Sequence, residues 1–257
     1  MNTLSPDMST DSAWEEWGRR DAYFGVITDP KFRASEITEE SKREFFDSGR
    51  WHVDYVMRIV RKHVDADFAP KRILDFGCGV GRVLIPLAGL AQQVFGIDVS
   101  TSMLLEAKRN CQEHGVLNAH FLESDDNLSS LTGGFDLIHS CIVFQHIPVE
   151  RGRSILGRLL QHLNPGGVGA IQLTYSKTHF SVTHGIAPPE SQSDYLPDQV
   201  TAPNADPAIQ MNPYNMNSIL FALQQSGVTQ FYADFTDHGG ELGVFLFFRK
   251  SNLSPTV

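Results

Sequence analysis

The sequence predicts an α/β fold in which a doubly wound, mostly parallel sheet of seven strands carries helices on both faces. Three observations support this fold class. Short apolar runs alternate five times with segments of helical periodicity between residues 71 and 175. A glycine-rich turn, GCGVG, follows the first apolar run. Near the end of the chain, two strand-like runs flank a Gly-Gly turn, which indicates a hairpin and hence one antiparallel strand.

The N-terminal part, residues 1–66, is predicted to be a helical extension. Residues 13–20 and, more clearly, residues 39–64 carry helical signals. Thr38 is placed to cap the second segment, because its side chain can accept a hydrogen bond from the first helical turn. Gly49 is expected to break that segment into two helices, since glycine is a poor helix former.

The stretch RRDAYFGVITDP, residues 19–30, places Tyr23 and Phe24 beside Gly25. It has two interpretations. One is a lid that closes over bound ligands and excludes water. The other is a hydrophobic plug that packs the extension on the core. Together with a later insertion at 176–214, this is where we expect substrate specificity to lie.

The core elements follow within a second predicted domain, residues 67–257. Six of its prolines fall in the insertion at 176–214, which interrupts the alternation of strands and helices and is typical of a functional or disordered loop. The predicted helices are 83–90, one that is capped by Ser100 or Thr101 and ended by Gly115, one opened by Pro148, and 217–226. The predicted strands are 72–76, 93–98, 120–122, 135–140, 168–173, 228–235 and 242–248.

Length and composition bound the class of protein. At 257 residues, with 41% hydrophobic and 20% charged residues, the chain can bury one large core. No stretch approaches the roughly 18 apolar residues of a membrane helix, and the polar N-terminus lacks the pattern of a secretory signal. The three cysteines are widely spaced, which suits free thiols in a reducing compartment. We therefore expect a cytoplasmic protein with no membrane partner.

The net charge of −9 opposes a nucleic-acid partner, because proteins that bind polyphosphates use clustered Lys and Arg to displace counterions. The densest basic stretches, Arg58 with Arg61-Lys62 and Lys71-Arg72, are short and are interpreted as solvated charges. No pair of the ten histidines has HExxH spacing, so no bound metal is expected. A small or weakly charged substrate fits this charge better.

The turn after the first predicted strand is the expected ligand site, because ligands of open parallel sheets lie beyond the carboxyl ends of the strands. Gly77, Gly79 and Gly81 occupy this turn, and their lack of a Cβ lets a ligand approach the backbone N–H groups. Arg82 stands where a dinucleotide fingerprint has its last glycine. Asp98, at the end of the second strand, is placed to accept hydrogen bonds from two vicinal ribose hydroxyls. We predict a ligand with a ribose and without a pyrophosphate.

Five short stretches of the sequence occur in a characteristic order, and this order identifies a protein family far more specifically than any single stretch does. In this order they resemble the motifs of the class I S-adenosylmethionine-dependent methyltransferases, over about residues 71–175 plus the terminal hairpin. The resemblance implies a Rossmann-like sheet, S-adenosyl-L-methionine as the cofactor, and transfer of a methyl group to an acceptor. The stretches are ILDFGCGVG (73–81), GIDVSTSML (96–104), FLESDDNL (121–128), FDLIHSCIVFQHIP (135–148) and LLQHLNPGGVGAIQL (159–173).

The resemblance also implies roles at the adenosine end of the cofactor. Asp98 would hold the ribose hydroxyls. Val99 and Met103 would pack on the adenine, although the helical spacing of Met103 also suits the core. Asp125 would accept a hydrogen bond from the adenine amino group, with Asp126 as a weaker candidate.

At the methionyl end, the resemblance implies that the three glycines of the turn lie against the methionine and the ribose. Asp75 and Arg82 would lie near the methionyl group, with Asp75 shaping the turn or holding the ammonium through water. The main-chain carbonyl near Ser140 to Cys141 would complete this contact. Cys78 then occupies a variable slot whose thiol chemistry is not required, since nothing in the sequence assures it the base or cation that a reactive thiolate needs.

His146, just past the fourth strand, is the candidate catalytic residue. It follows the strand near the point where the methyl group would lie, so it can act as a general base that takes a proton from the acceptor. The alternative is a histidine at a helix start that packs or bonds locally.

The residues after the fourth strand narrow the acceptor. Ser140-Cys141-Ile142-Val143 differs from the Asp/Asn-Pro-Pro-aromatic motif of nucleic-acid amino methyltransferases, and it lacks the acidic residue of magnesium-dependent catechol methyltransferases. We therefore expect methylation of a small-molecule or sugar-like acceptor on O or N. A non-catalytic cofactor-binding module and a nicotinamide-dependent oxidoreductase are the alternatives.

Overall fold

A computed structural model describes residues 6–177, 206–207 and 209–252 of the protein. Seven strands form one sheet in the order β3-β2-β1-β4-β5-β7-β6, and β7 is antiparallel to both of its neighbours while the other paired strands are parallel. This confirms the predicted fold class and the single antiparallel strand. The strands are β1 (Arg72–Phe76), β2 (Gln93–Asp98), β3 (Ala119–Glu123), β4 (Phe135–Ser140), β5 (Leu163–Lys177), β6 (Val228–His238) and β7 (Glu241–Lys250).

Two helices begin at capping residues that the sequence indicates. The Thr38 side chain accepts from the backbone N–H of Ser41 in a reciprocal capping box, and Ser100 accepts from the N–H of Met103. No helix within the described ranges has the length and apolarity needed to cross a membrane. The helices are α1 (Pro6–Arg20), α2 (Ala22–Val26), α3 (Glu39–His63), α4 (Leu84–Ala88), α5 (Thr101–Glu113), α6 (Val149–His162) and α7 (Met216–Gln225).

Helices cover both faces of the sheet around its central strands. Successive residues of a strand point to opposite faces, so neighbouring residues pack in different clusters. Ile73 packs in one hydrophobic cluster with residues of α3 and α4, whereas its neighbour Leu74 packs in another with residues of α6 and α7. Leu137 and Ile138 of β4 divide in the same way. This explains why these strands read as continuous apolar runs.

A third hydrophobic cluster joins the N-terminal extension to the core. It contains Val80 of the glycine turn and Met103 of α5, so the extension packs beside the carboxyl ends of β1 and β2. Its buried members are Trp17, Phe24, Phe32, Phe45, Phe46, Val80 and Met103.

The expected break at Gly49 is wrong, because α3 runs without interruption from Glu39 to His63. Gly49 is buried, and a Cβ placed on it would lie only 2.0 Å from the carbonyl oxygen of Arg82. The glycine therefore serves a close approach between α3 and the glycine turn, at the cost of a weaker helix propensity.

Gly49→Ala is expected to lower the free energy of unfolding by roughly 1–3 kcal/mol or more, because the methyl group would meet fixed backbone. Gly157→Ala on α6 is the matched control, since nothing lies within 4 Å of its added Cβ. That variant should gain about 0.5–1 kcal/mol from helix propensity. Urea denaturation of both variants measures the difference. Equal gains would show that the close approach at Gly49 is not constrained.

Candidate active site

One cleft lies at the carboxyl ends of β1, β2 and β4 and encloses about 1090 Å³ of space, its open mouth included. A concave site at this edge of a parallel sheet is the usual place for a ligand. It brings together most of the site residues that the sequence predicts. These are Asp75, Gly77, Gly79, Arg82, Asp98, Val99, Met103, Cys141 and His146.

Two predicted residues are not part of the cleft lining. Gly81, at φ +89°, packs against α5, where its added Cβ would lie 3.5 Å from Ala107. The exposed carboxylate of Asp125 accepts from the backbone N–H of Ser129 at 2.9 Å, and this hydrogen bond lowers the pKa of Asp125. The next residue, Asp126, lines the cleft instead.

The glycine turn forms the wall of the cleft from backbone alone. Gly77 has φ +73°, and a Cβ on it would lie 2.3 Å from the Val143 side chain. Gly79, at φ +51°, donates its N–H to a carboxylate oxygen of Asp98 at 2.9 Å. The turn is thereby tied to the end of β2, and glycine suits both positions because φ is positive and a Cβ would meet the side chain of Val143 or Val26.

Asp98 lies between two backbone donors. Its Oδ2 accepts from Gly79 and its Oδ1 accepts from the N–H of Ser100 at 3.0 Å. Burial raises the pKa of Asp98 to about 6, against these hydrogen bonds, which lower it. An ionised carboxylate has about four lone-pair sites, so each oxygen can accept one further hydrogen bond. Asp98 can therefore bind a pair of adjacent hydroxyl groups.

Asp75, at 3% exposure, is the most deeply buried carboxylate in the lining. Its Oδ1 accepts from Nδ1 of His139 at 2.7 Å. Its Oδ2 is buried and has no hydrogen-bond partner among the described residues. Because an unpaired buried carboxylate oxygen is costly, this atom indicates a ligand that donates hydrogen bonds or carries positive charge.

The thiols and Arg82 complete the region around Asp75. Burial raises the pKa of Cys78 well above its ordinary value, and burial raises the pKa of Cys141 to about 12, so both are neutral thiols at pH 7. Neither is suited to act as a nucleophile. Arg82 donates to the Ser48 hydroxyl of α3 at 3.2 Å, which directs the guanidinium toward the extension.

His146 lies in a single 3₁₀ turn, Phe144–His146, directly after β4. Its Nδ1 contacts the carbonyl oxygen of Gln210 at 2.9 Å, and because a carbonyl can only accept, Nδ1 carries the proton. Burial lowers the pKa of His146 to about 4, so the ring is neutral at pH 7, and the lone pair of Nε2 accepts a long contact of 3.4 Å from the side-chain amide of Gln145. The ring also packs against Trp14, with centroids 5.0 Å apart.

The cleft also includes residues that the sequence analysis missed. Thr10, Asp11 and Trp14 of α1 lie in the lining, as does Arg151 of α6. Arg151 donates to both carboxylate oxygens of Asp11, at 2.8 and 2.7 Å, and its Nε donates to Asp126 at 2.6 Å. A bidentate contact of this kind fixes geometry as well as charge. It ties α1 to α6 beside the cleft.

In the stretch at 19–30, some residues pack as the hydrophobic-plug interpretation expects and others lie at the cleft, as the lid interpretation expects. Tyr23 donates toward Glu106 and Asn110 of α5, and Phe24 is buried in the third cluster, as a plug would be. Gly25 and Val26, in contrast, line the cleft.

Comparison with known proteins finds methyltransferases that are similar to the central part of this chain. Residues 73–167 match a family model described as a methyltransferase domain. Trans-aconitate 2-methyltransferase of Deinococcus radiodurans is 38% identical over 112 residues, which is 43% of this chain and 40% of that protein. A 23S rRNA (uracil(1939)-C(5))-methyltransferase of Marinomonas sp. is 30% identical over 128 residues, 44% of this chain and 29% of that protein. The chain thus spans less than half the length of either relative.

The fold as a whole has a counterpart in a solved structure. Magnesium protoporphyrin IX methyltransferase from Synechocystis PCC 6803, with bound SAH, aligns with a TM-score of 0.64 over 94% of this chain and 98% of that one, at 20% identity. This likeness concerns the fold. The family match adds that residues 73–167 form a methyltransferase domain on this fold.

Proposed function

We propose that the protein transfers a methyl group from S-adenosyl-L-methionine to a small-molecule acceptor, on oxygen or nitrogen. The observation that carries this proposal is the composition of one cleft. It joins the side-chain-free glycine turn, the Asp98 carboxylate and the unpaired Oδ2 of buried Asp75. A ligand with a ribose diol and an ammonium group matches these three features.

The residues that would hold the donor follow from their contacts. Asp98 accepts from the two ribose hydroxyls, while Gly77 and Gly79 provide the backbone wall. Asp75 binds the ammonium through Oδ2, directly or through water. Val99 and Met103, which line the cleft together with Ser124 and Asp126, would pack on the adenine, and the carbonyl at Cys141 would lie at the methionyl end. When bound, the sulfonium supplies an activated methyl group. Its transfer depends mainly on the distance and angle to the acceptor.

The general base of the proposed reaction is His146. Its Nε2 lone pair lies on a ring that Gln210 holds in one tautomer, and the low pKa keeps the base unprotonated at physiological pH. For a hydroxyl acceptor, Nε2 takes the proton as the new bond to oxygen forms. An amine acceptor that arrives deprotonated needs this group less.

We infer a small acceptor, because residues of the N-terminal extension line and partly cover the cleft. Trp14 of α1 and Val26 of α2 narrow it, and the Asp11–Arg151 contact holds α1 in that position. We propose that the extension, residues 1–66, serves as the lid over the domain at 67–257. The net charge of −9 disfavours RNA, although one of the relatives is an rRNA methyltransferase. Residues 178–205 and 208 of the predicted insertion lie outside the described residues.

The test begins with the donor. Calorimetric titration should show binding of S-adenosylmethionine and S-adenosylhomocysteine, and none of NAD. Transfer of tritiated methyl groups is then assayed against metabolite pools and against ribosomal RNA in parallel. Labelling of RNA alone would contradict the small-molecule acceptor, and binding of NAD alone would contradict the whole proposal.

Donor affinity should depend on pH through Asp98. Because its pKa in the folded protein is about 6, the carboxylate is ionised above pH 7 and becomes protonated as the pH falls through 6. The Kd for S-adenosylhomocysteine should stay constant from pH 7 to 8 and rise up to about tenfold per unit below pH 6. Calorimetry at several pH values measures this. The Asp98→Asn variant should bind weakly with no such dependence, and a wild-type Kd that is flat down to pH 5 would contradict the assignment.

A further inference from the structure

We propose that His52 and His139 are positioning residues that hold the Asp75 carboxylate for the ammonium group of the donor. The proposal rests on the proposed function, since it concerns the same ligand. It adds α3, an element of the N-terminal extension, to the donor site. His52 lies outside the five stretches that carry the methyltransferase resemblance, and His139 lies within the fourth of them without an assigned role.

The three side chains form a continuous series of contacts, in which Asp75 and His139 are buried and His52 is half-buried. Nδ1 of His139 lies 2.7 Å from Oδ1 of Asp75, and Nε2 of His139 lies 2.9 Å from Nε2 of His52. Asp75 is 3% exposed and His139 is 1% exposed. The two imidazole rings meet edge to face, with centroids 5.1 Å apart at 72°. Both rings also pack against Phe245 of β7, which fixes their planes.

The donor and the acceptor in the contact between His139 and Asp75 follow from their chemistry. An ionised carboxylate only accepts, so Nδ1 of His139 donates to Asp75. Burial, with a further contribution from nearby Arg82, lowers the pKa of His52 to about 2, which keeps His52 neutral. His52 therefore pairs with the outer nitrogen of His139 without adding a charge. Without His52, that nitrogen would be a buried polar atom without a partner, and the ring would gain by turning away from Asp75.

The two carboxylate oxygens of Asp75 have different roles toward the donor. His139 occupies Oδ1, which fixes the plane of the carboxylate and leaves Oδ2 as the unpaired atom in the cleft. Positioning by packing and by hydrogen bonds behind the contacting residue is a general means of raising affinity. The contribution of His52 should therefore concern the amino-acid end of the donor only.

The experiment compares two ligands by calorimetry. S-adenosylhomocysteine carries the ammonium, whereas 5′-methylthioadenosine has the same adenosine and sulfur but no amino-acid group. In His52→Leu, the Kd for S-adenosylhomocysteine should rise about tenfold, because a charge-assisted contact is lost or misplaced, and the Kd for methylthioadenosine should stay within about twofold. His52→Gln keeps an amide that can pair with His139, and it should restore most of the affinity.

A double-mutant cycle separates positioning from structural damage. Asp75→Asn, which preserves the shape of the side chain, should itself weaken S-adenosylhomocysteine selectively. In that background His52→Leu should cause little further loss, since the two act through one contact. Should His52→Leu fail to fold, His52→Gln and Asp75→Asn still show whether changes in this series of side chains affect the Kd for S-adenosylhomocysteine more than the Kd for methylthioadenosine.

The outcomes distinguish the two proposals. Equal weakening of both ligands in His52→Leu, or additive losses in the cycle, would overturn the positioning role while leaving the proposed function intact. Unchanged affinity for S-adenosylhomocysteine would overturn it as well. If the wild-type protein binds neither ligand, the proposed function fails, and the role of His52 fails with it.

Discussion

The Asp98→Ala variant is expected to lose affinity for S-adenosylmethionine and S-adenosylhomocysteine by at least about a hundredfold. The carboxylate would accept from both ribose hydroxyls, and two charge-assisted hydrogen bonds of about 1.5–3 kcal/mol each correspond to a change of this size. The same change releases the N–H groups of Gly79 and Ser100, which Asp98 now holds at 2.9 and 3.0 Å. The turn would then lose its tie to the end of β2. Calorimetric titration at pH 7.5 measures the loss.

Cys78→Ala is the matched control in the same turn. The Cys78 thiol is buried beside Gly96 and is neutral, and it has no role in the proposed contacts with the donor. Its removal should change the donor Kd by no more than about threefold, since it deletes one small apolar atom. Stronger weakening in Cys78→Ala than in Asp98→Ala would contradict the assignment of this turn.

The sheet could be predicted from the sequence because its strands are buried on both faces. Runs such as Ile73-Leu74 and Leu137-Ile138 need apolar residues at every position, and this is visible without any tertiary information. The break at Gly49 was predicted wrongly for the converse reason. A glycine in a helix reads as a breaker, and only the folded chain shows the Arg82 carbonyl that occupies the space of its Cβ.

The residues of the proposed donor site could be placed in one cleft from the sequence, because they follow consecutive strand ends of a motif with fixed spacing. Asp98 and the glycine turn required only that spacing. Asp126 lines the cleft where Asp125 was predicted, since a shift by one residue in a loop reverses which side chain faces the ligand. Asp11 could not be predicted, because its contact with Arg151 joins positions 140 residues apart.

The pairing of His52 with His139 behind the proposed donor site could not be predicted either, because the two residues are far apart in the sequence. His52 lies on α3 and His139 on β4, 87 residues apart in the chain. Each would be interpreted alone as an ordinary histidine of a helix or a strand. Their contact depends on the close approach of α3 to the glycine turn, which Gly49 permits. The position first predicted to break a helix is therefore one that the proposed donor site requires.

The His146→Gln variant is expected to lower kcat by about 10²–10⁴ for a hydroxyl acceptor, while the donor Kd stays within about twofold. Gln210 holds the proton on Nδ1, and burial keeps the ring neutral, so Nε2, 3.4 Å from the Gln145 amide nitrogen, is the basic atom of this cleft-lining ring. Glutamine approximates the size of the ring and its ability to hydrogen-bond, but it cannot take up a proton. Single-turnover transfer of a tritiated methyl group, with donor and acceptor saturating, measures the chemical step.

A second histidine tests whether the effect is specific. His238, exposed in the β6–β7 hairpin, can be changed to Gln without touching the cleft, and its kcat should equal that of the wild type. In the wild type, protonation of His146 should reduce kcat only as the pH falls toward 4, because burial lowers its pKa to about that value. If His146→Gln instead transfers methyl groups to a hydroxyl at the wild-type rate with intact donor binding, the proton leaves by another route, and the buried imidazole serves only to pin Gln210 and Trp14 around the cleft.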